Sequence, residues 1–190
     1  MRKMLIVTVA VCMLLSSCDG FGLPYGRSDM PPMEPYVEFD RAAFVRSQDR
    51  WEARGITDYT FEVFQYSGWK VPVCRVTVME GEITDIEFVE AWHLQVPEDM
   101  AEGLKTEALH VTREIGTIPA MFGKIEALYI QAVESLPRLK KGDGISCHVT
   151  YDEVYGFPEE VRYGIFSPSP PEGGRYRITV RNFRPLQAAK

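Results

Sequence analysis

Apolar residues alternate with polar ones in six short stretches of the chain and recur at helical spacing in two longer ones, and this pattern predicts most of the secondary structure. Asp40 is placed to cap a helix over Arg41 to Arg54, with Phe44, Val45 and Trp51 toward a core and Gly55 just past its end. Three strands are predicted next, Tyr59 to Tyr66, Val73 to Met79 and Glu82 to Phe88, with Glu80-Gly81 as a tight turn, so that they form an antiparallel meander. Residues 89 to 116 are acidic and carry only a short helical signal near Glu98 to Leu109, weakened by Gly103. Thr117 then resembles an N-cap, and Ile118, Met121, Phe122, Ile125, Leu128, Tyr129, Ala132, Val133 and Leu136 form a wide apolar stripe that Pro137 ends. Three more strands follow, Ile145 to Tyr151, Glu160 to Ile165 and Tyr176 to Phe183. The predicted class is α+β: an antiparallel β-sheet packed on one face by a long α-helix, in the order α-βββ-α-βββ.

The first residues follow a different pattern. Arg2 and Lys3 precede twelve mostly apolar residues, Met4 to Leu15, a run too short to span a bilayer of roughly 30 Å and shaped like a secretory signal. Leu15-Ser16-Ser17-Cys18 resembles the bacterial lipoprotein processing motif. That resemblance implies diacylglyceryl transfer to the Cys18 thiol, cleavage after Ser17, and a protein exported and lipid-anchored to a bacterial membrane, on its periplasmic side or at the cell surface. Two or three acyl chains, at about 0.8 kcal/mol per buried methylene, make a firm anchor. An ordinary signal peptide with an incidental cysteine is the alternative. The expected organisation is therefore a signal peptide over 1–17, a lipidated cysteine and Pro/Gly-rich tether over 18–37, and a single globular domain over 38–190.

Charge narrows the partners. Without Arg2 and Lys3 the chain has 19 basic against 27 acidic residues, a net of −8, so nucleic acid is not an expected partner and the membrane contact is expected to be the lipid. Cys12 leaves with the signal and Cys18 takes the lipid, so Cys74 and Cys147 remain. In an oxidising compartment they either form a bridge, worth about 4 kcal/mol for a loop of this length on the chain-entropy view, or stay as two buried thiols.

A family resemblance rests on residues spread along the folded part. Trp51, Gly55-Ile56, Asp58-Tyr59, Val76 and Val78, Gly81, Thr117-Ile118 with Phe122, Tyr151-Asp152 and Gly156-Phe157-Pro158 fall in an order that resembles a family of small bacterial secreted or lipid-anchored domains of unknown function, over about residues 48 to 184. The resemblance implies architecture and export, and no catalytic residues. The chain departs from the pattern in lacking closely spaced cysteines near the end of the first strand, where only Cys74 lies nearby.

Chemistry-bearing patterns are sparse. His93, His110 and His148 have no HExxH or paired-cysteine spacing around them, and there is no GxSxG elbow, Walker loop or dinucleotide fingerprint, so no metal, cofactor or catalytic residue is assigned. Cys147 and His148 are neighbours on a strand and point to opposite faces, which excludes a thiol–imidazole pair. If the predicted core faces hold, the opposite sheet face collects Arg175, Arg177, Arg181, Arg162 and His148, a basic stripe on an acidic protein. Such a stripe either recognises carboxylates or phosphates or is a solvated face paired with acids such as Glu62 or Glu87. Trp69 and Trp92 are further candidate contact residues. The favoured function is a non-enzymatic binding or accessory module of the cell envelope, engaging another envelope protein or an anionic ligand. The rivals are an envelope hydrolase whose site is assembled from distant residues and a purely structural lipoprotein. A concave pocket with acids or histidines of perturbed pKa marks the enzyme, and an exposed patch the binding module. The oligomeric state is not legible in the sequence.

Overall fold

Asp40 begins the first helix as its side chain demands: Oδ1 accepts a hydrogen bond from the Ala43 N–H at 2.8 Å, and the helix α1, Arg41–Arg54, runs on to Gly55, whose φ of 59° ends it. The computed structural model describes residues 34–66, 72–91, 98–166 and 176–186. Phe44, Ser47 and Trp51 form the buried side of α1. Val45, expected to face the core, is 44% exposed, because it lies about 100° round the helix from Phe44.

The chain then builds two meanders. The first is β2 (Tyr59–Tyr66), β3 (Pro72–Met79) and β4 (Glu82–Ala91); the second is β5 (Gly144–Tyr151), β6 (Pro158–Phe166) and β7 (Tyr176–Pro185). β7 pairs antiparallel with β2, and β1 (Tyr36–Glu38) pairs parallel with β5, so the seven strands run in the order β1-β5-β6-β7-β2-β3-β4. Between β3 and β4, Glu80 and Gly81 both take positive φ, and Asp58 and Thr57 hold the turn through the Glu80 and Gly81 N–H groups at 2.6 and 3.0 Å.

This arrangement overturns the expected antiparallel sheet under one long helix. The sheet is mixed, since β1 runs parallel to its neighbour. Tyr36 and Val37, expected in the tether, belong to this edge strand, and three residues behind a proline are too few to show a period. Three helices cover the sheet: α1, α2 (Glu98–Ile115) and α3 (Ile118–Ser135). Width explains the need, because seven strands at about 4.8 Å spacing extend roughly 29 Å and one helix covers only about 10 Å of it. Helix α2 packs on β2, β3 and β4, and α3 packs on β5 and β6. The helical signal in the acidic region was expected to stop at Leu109. It continues to Ile115, and the buried stripe that carries it is Ala108, Thr112 and Ile115, in which the polar Thr112 interrupts the apolar spacing.

Thr117 caps α3 through a hydrogen bond from the Ala120 N–H at 3.1 Å, and the Ile118 N–H donates to the Tyr59 hydroxyl at 3.0 Å, tying the helix start to β2. The core lies between sheet and helices, with Phe61, Val63, Val76, Val78, Ile125, Ile145, Val161 and Ile178 almost wholly buried. On β7 the alternation slips at Asn182, whose φ is 52°, so Phe183 rather than Asn182 joins the ring cluster of Trp51, Tyr59 and Phe157.

Cys74 on β3 and Cys147 on β5 are free and buried. They stand four strands apart in the sheet, roughly 19 Å, which is beyond the reach of a disulfide, so the topology corrects the expected bridge. Burial pushes the Cys147 thiol up to about 11 and also raises Cys74, against a weaker opposing hydrogen bond with Thr112.

Candidate functional site

With the helices on one face, the other face of the sheet is open among the described residues, and strand alternation sends polar residues to it. His148 on β5, Arg162 on β6 and Arg177 on β7 are register partners, so three side chains of the expected stripe stand in one row across three strands. All three are exposed. Arg175, Trp69, Trp92, His93 and Cys18 lie outside the described residues.

Glu160 organises the row. It sits two residues before Arg162 on the same face of β6, and its carboxylate takes hydrogen-bonded ion pairs from both Arg162 and Arg177. The Glu160 side chain is only 13% exposed, against 58% for Arg162 and 50% for Arg177. Burial alone would raise its carboxyl, but hydrogen bonds from the two guanidiniums and their charge outweigh that and hold it below the ordinary glutamate range. An acid held ionised in this way is a fixed anchor and a poor proton donor. Among the described residues, two arginines against one carboxylate leave a local excess of one positive charge.

The remaining stripe residue, Arg181, lies over the Phe64 ring at 4.5 Å from its centroid. Glu62 and Glu87, expected to pair with the stripe, instead flank Arg75 at 3.0 and 2.9 Å, and Asn182 adds a hydrogen bond to Glu62 at 2.7 Å. The open face is thus divided. On β2, β3 and β4 one arginine sits between two acids, and on β6 and β7 one acid sits between two arginines. Glu160 is not among the residues that the sequence singles out, although its period-two spacing from Arg162 carries the signal. Glu159 itself is exposed, and its carboxyl is raised by partial burial and by Asp152 and Glu153 nearby.

A cleft of about 630 Å³ opens beside the row, lined by Ser146, His148, Arg162, Gly164, Phe166 and Arg177 among others. Its volume falls within the range of small-molecule sites. A smaller groove of about 300 Å³ runs between α1 and α3 over Phe44, Trp51 and Phe122, with Glu52 and Glu126 in its lining. His110 lies on α2, exposed and 4.0 Å from Glu114, away from either. Among the described residues no three His, Cys, Asp or Glu side chains converge as a metal site would require, and no helix is long and apolar enough to cross a membrane.

No family model, curated protein or solved structure matches the chain.

Proposed function

We propose that this chain is an exported, lipid-anchored envelope protein whose folded domain serves as a non-enzymatic binding module, engaging its partner through the open face of the sheet. The observation that carries the binding role is the row His148, Arg162 and Arg177 beside a cleft, with both guanidiniums held by a single shielded carboxylate. Arginine does not give up its proton in a protein, so such a row recognises anions rather than moving protons. Its excess positive charge stands on a chain with net charge −8 after Arg2 and Lys3 are removed, which favours an anionic group at this place over any other. The location rests on Arg2 and Lys3, the apolar run and Leu15-Ser16-Ser17-Cys18, whose chemistry would hold the domain at a membrane by lipid.

Photo-crosslinking in the cell envelope tests both halves. A photoreactive residue at position 148 should give a discrete adduct that the Arg162→Glu, Arg177→Glu double variant loses, while the same residue at Ile130, exposed on α3, gives none. Cys18→Ser should move the chain out of the membrane fraction. Equal adducts at both positions would overturn the binding face, and an unchanged membrane fraction would overturn the anchor.

A further inference from the structure

β6 runs to Phe166 and pairs with β5 as far as Gly144↔Phe166, and its Arg162 is the register partner of Arg177 on β7. The cleft lies over these strands, with Ser146, Arg162, Gly164, Phe166 and Arg177 in its lining. Two kinds of surface meet there. Arg162 and Arg177 supply guanidinium N–H groups beyond those Glu160 occupies, since each guanidinium carries five donors and the carboxylate takes one from Arg162 and two from Arg177. Phe166 follows Arg162 by four residues, so it lies on the same open face, about 13 Å along the strand, and it is 58% exposed. Between them Gly164 has no side chain and Ser146 is its register partner on β5, so the floor is low and carries one hydroxyl.

We propose that this cleft is a site for a small amphipathic anion, a carboxylate or phosphate head on an elongated apolar body. The inference rests on reading the open face as the binding surface, and it adds what the surface takes. The head lies on Arg162 and Arg177, where two planar forks already held in place lose little freedom on binding. The body lies along Gly164 toward Phe166, covering apolar surface that is otherwise wet.

Equilibrium dialysis with the full lipidated chain in phosphatidylcholine vesicles provides the test, with 2-naphthyl phosphate, 2-naphthoate, neutral 2-naphthol and inorganic phosphate as probes. The two aryl anions should bind one per chain, with naphthol and inorganic phosphate each at least roughly tenfold weaker. Arg162→Lys with Arg177→Lys keeps the charge and removes the planar forks, and should weaken naphthyl phosphate by about tenfold. Phe166→Ser should weaken naphthyl phosphate about fivefold and leave inorganic phosphate unchanged. Circular dichroism establishes that each variant is folded. Naphthol binding as well as the anions, or no binding of either aryl anion by the folded chain, would overturn the proposal. If the aryl anions fail while the position-148 adduct persists, the small-ligand site is wrong and the binding face stands; if both fail, the reading beneath it falls as well.

Discussion

Glu160 shows how one carboxylate sets the character of a surface. Its folded pKa is depressed: burial works against it, and the Arg162 and Arg177 hydrogen bonds and charges prevail. A depressed acid contributes stability in full above its ordinary value of about 4.5 and loses that contribution as the pH falls through the lower folded value. Glu160→Gln should therefore cost about 1 kcal/mol near neutral pH, the upper range for a partly exposed ion pair. In urea titrations the gap between the native chain and this variant should stay level down to about pH 5 and close below about 4.5. Glu62, also depressed by Arg75 and Asn182 against its burial, titrates in both chains and cancels. A gap that does not change with pH would show that the carboxylate charge is not what the two arginines need. The acid was legible in principle, because a glutamate two positions from an arginine on a strand shares its face. Its second partner was not, because the Glu160↔Thr179 register that brings Arg177 alongside is a tertiary fact.

At the level of elements, the link between β5 and β6 does more than join two strands. In the folded chain it docks on α1: Arg50 and Arg54 donate to the Glu153 and Val154 carbonyl oxygens at 2.9 and 3.0 Å, and Phe157 enters the ring cluster. Gly156 takes a φ of 87°, and a Cβ there would stand 2.5 Å from the Ser47 carbonyl oxygen and 3.0 Å from the Arg50 Cβ. Both neighbours belong to a helix and cannot retreat cheaply. Gly156→Ala should destabilise by about 2 kcal/mol or more in urea unfolding, combining backbone strain with overpacking. A loss below about 0.5 kcal/mol would mean that the loop lifts away from α1 at little cost. Strands with a clean period of two were legible because alternation and burial agree in them. Edge strand β1 and the second half of α2 were not, the first for its length and the second because the polar Thr112 sits between Ala108 and Ile115 on its buried side.

At the scale of the whole molecule, the order of the sheet decides what the two remaining cysteines can do. Three strands lie between them, burial keeps both thiols protonated, and an intramolecular bridge has no geometry. Neither Cys74 nor Cys147 should react with a bulky thiol reagent in native buffer, and both should react in concentrated guanidinium, with no bridged form on mass analysis of the full chain. Rapid native labelling of either thiol would overturn the packing around it. The same order divides the open face by charge, because it sets β6 beside β7 and β3 between β2 and β4. Local signals alone determined where most helices and strands lie, which residues cap them, which face of each strand is apolar and that Cys18 follows a lipoprotein-type run, since each depends on neighbours within a few residues. Only the tertiary structure decided that β7 joins β2, that β1 closes the far edge in parallel, that three helices share the cover, that the thiols are apart and that Arg162 and Arg177 meet over one carboxylate. Those outcomes turn on contacts between residues tens of positions apart, chosen by how the whole apolar surface can be buried at once, and no window of the chain contains that information.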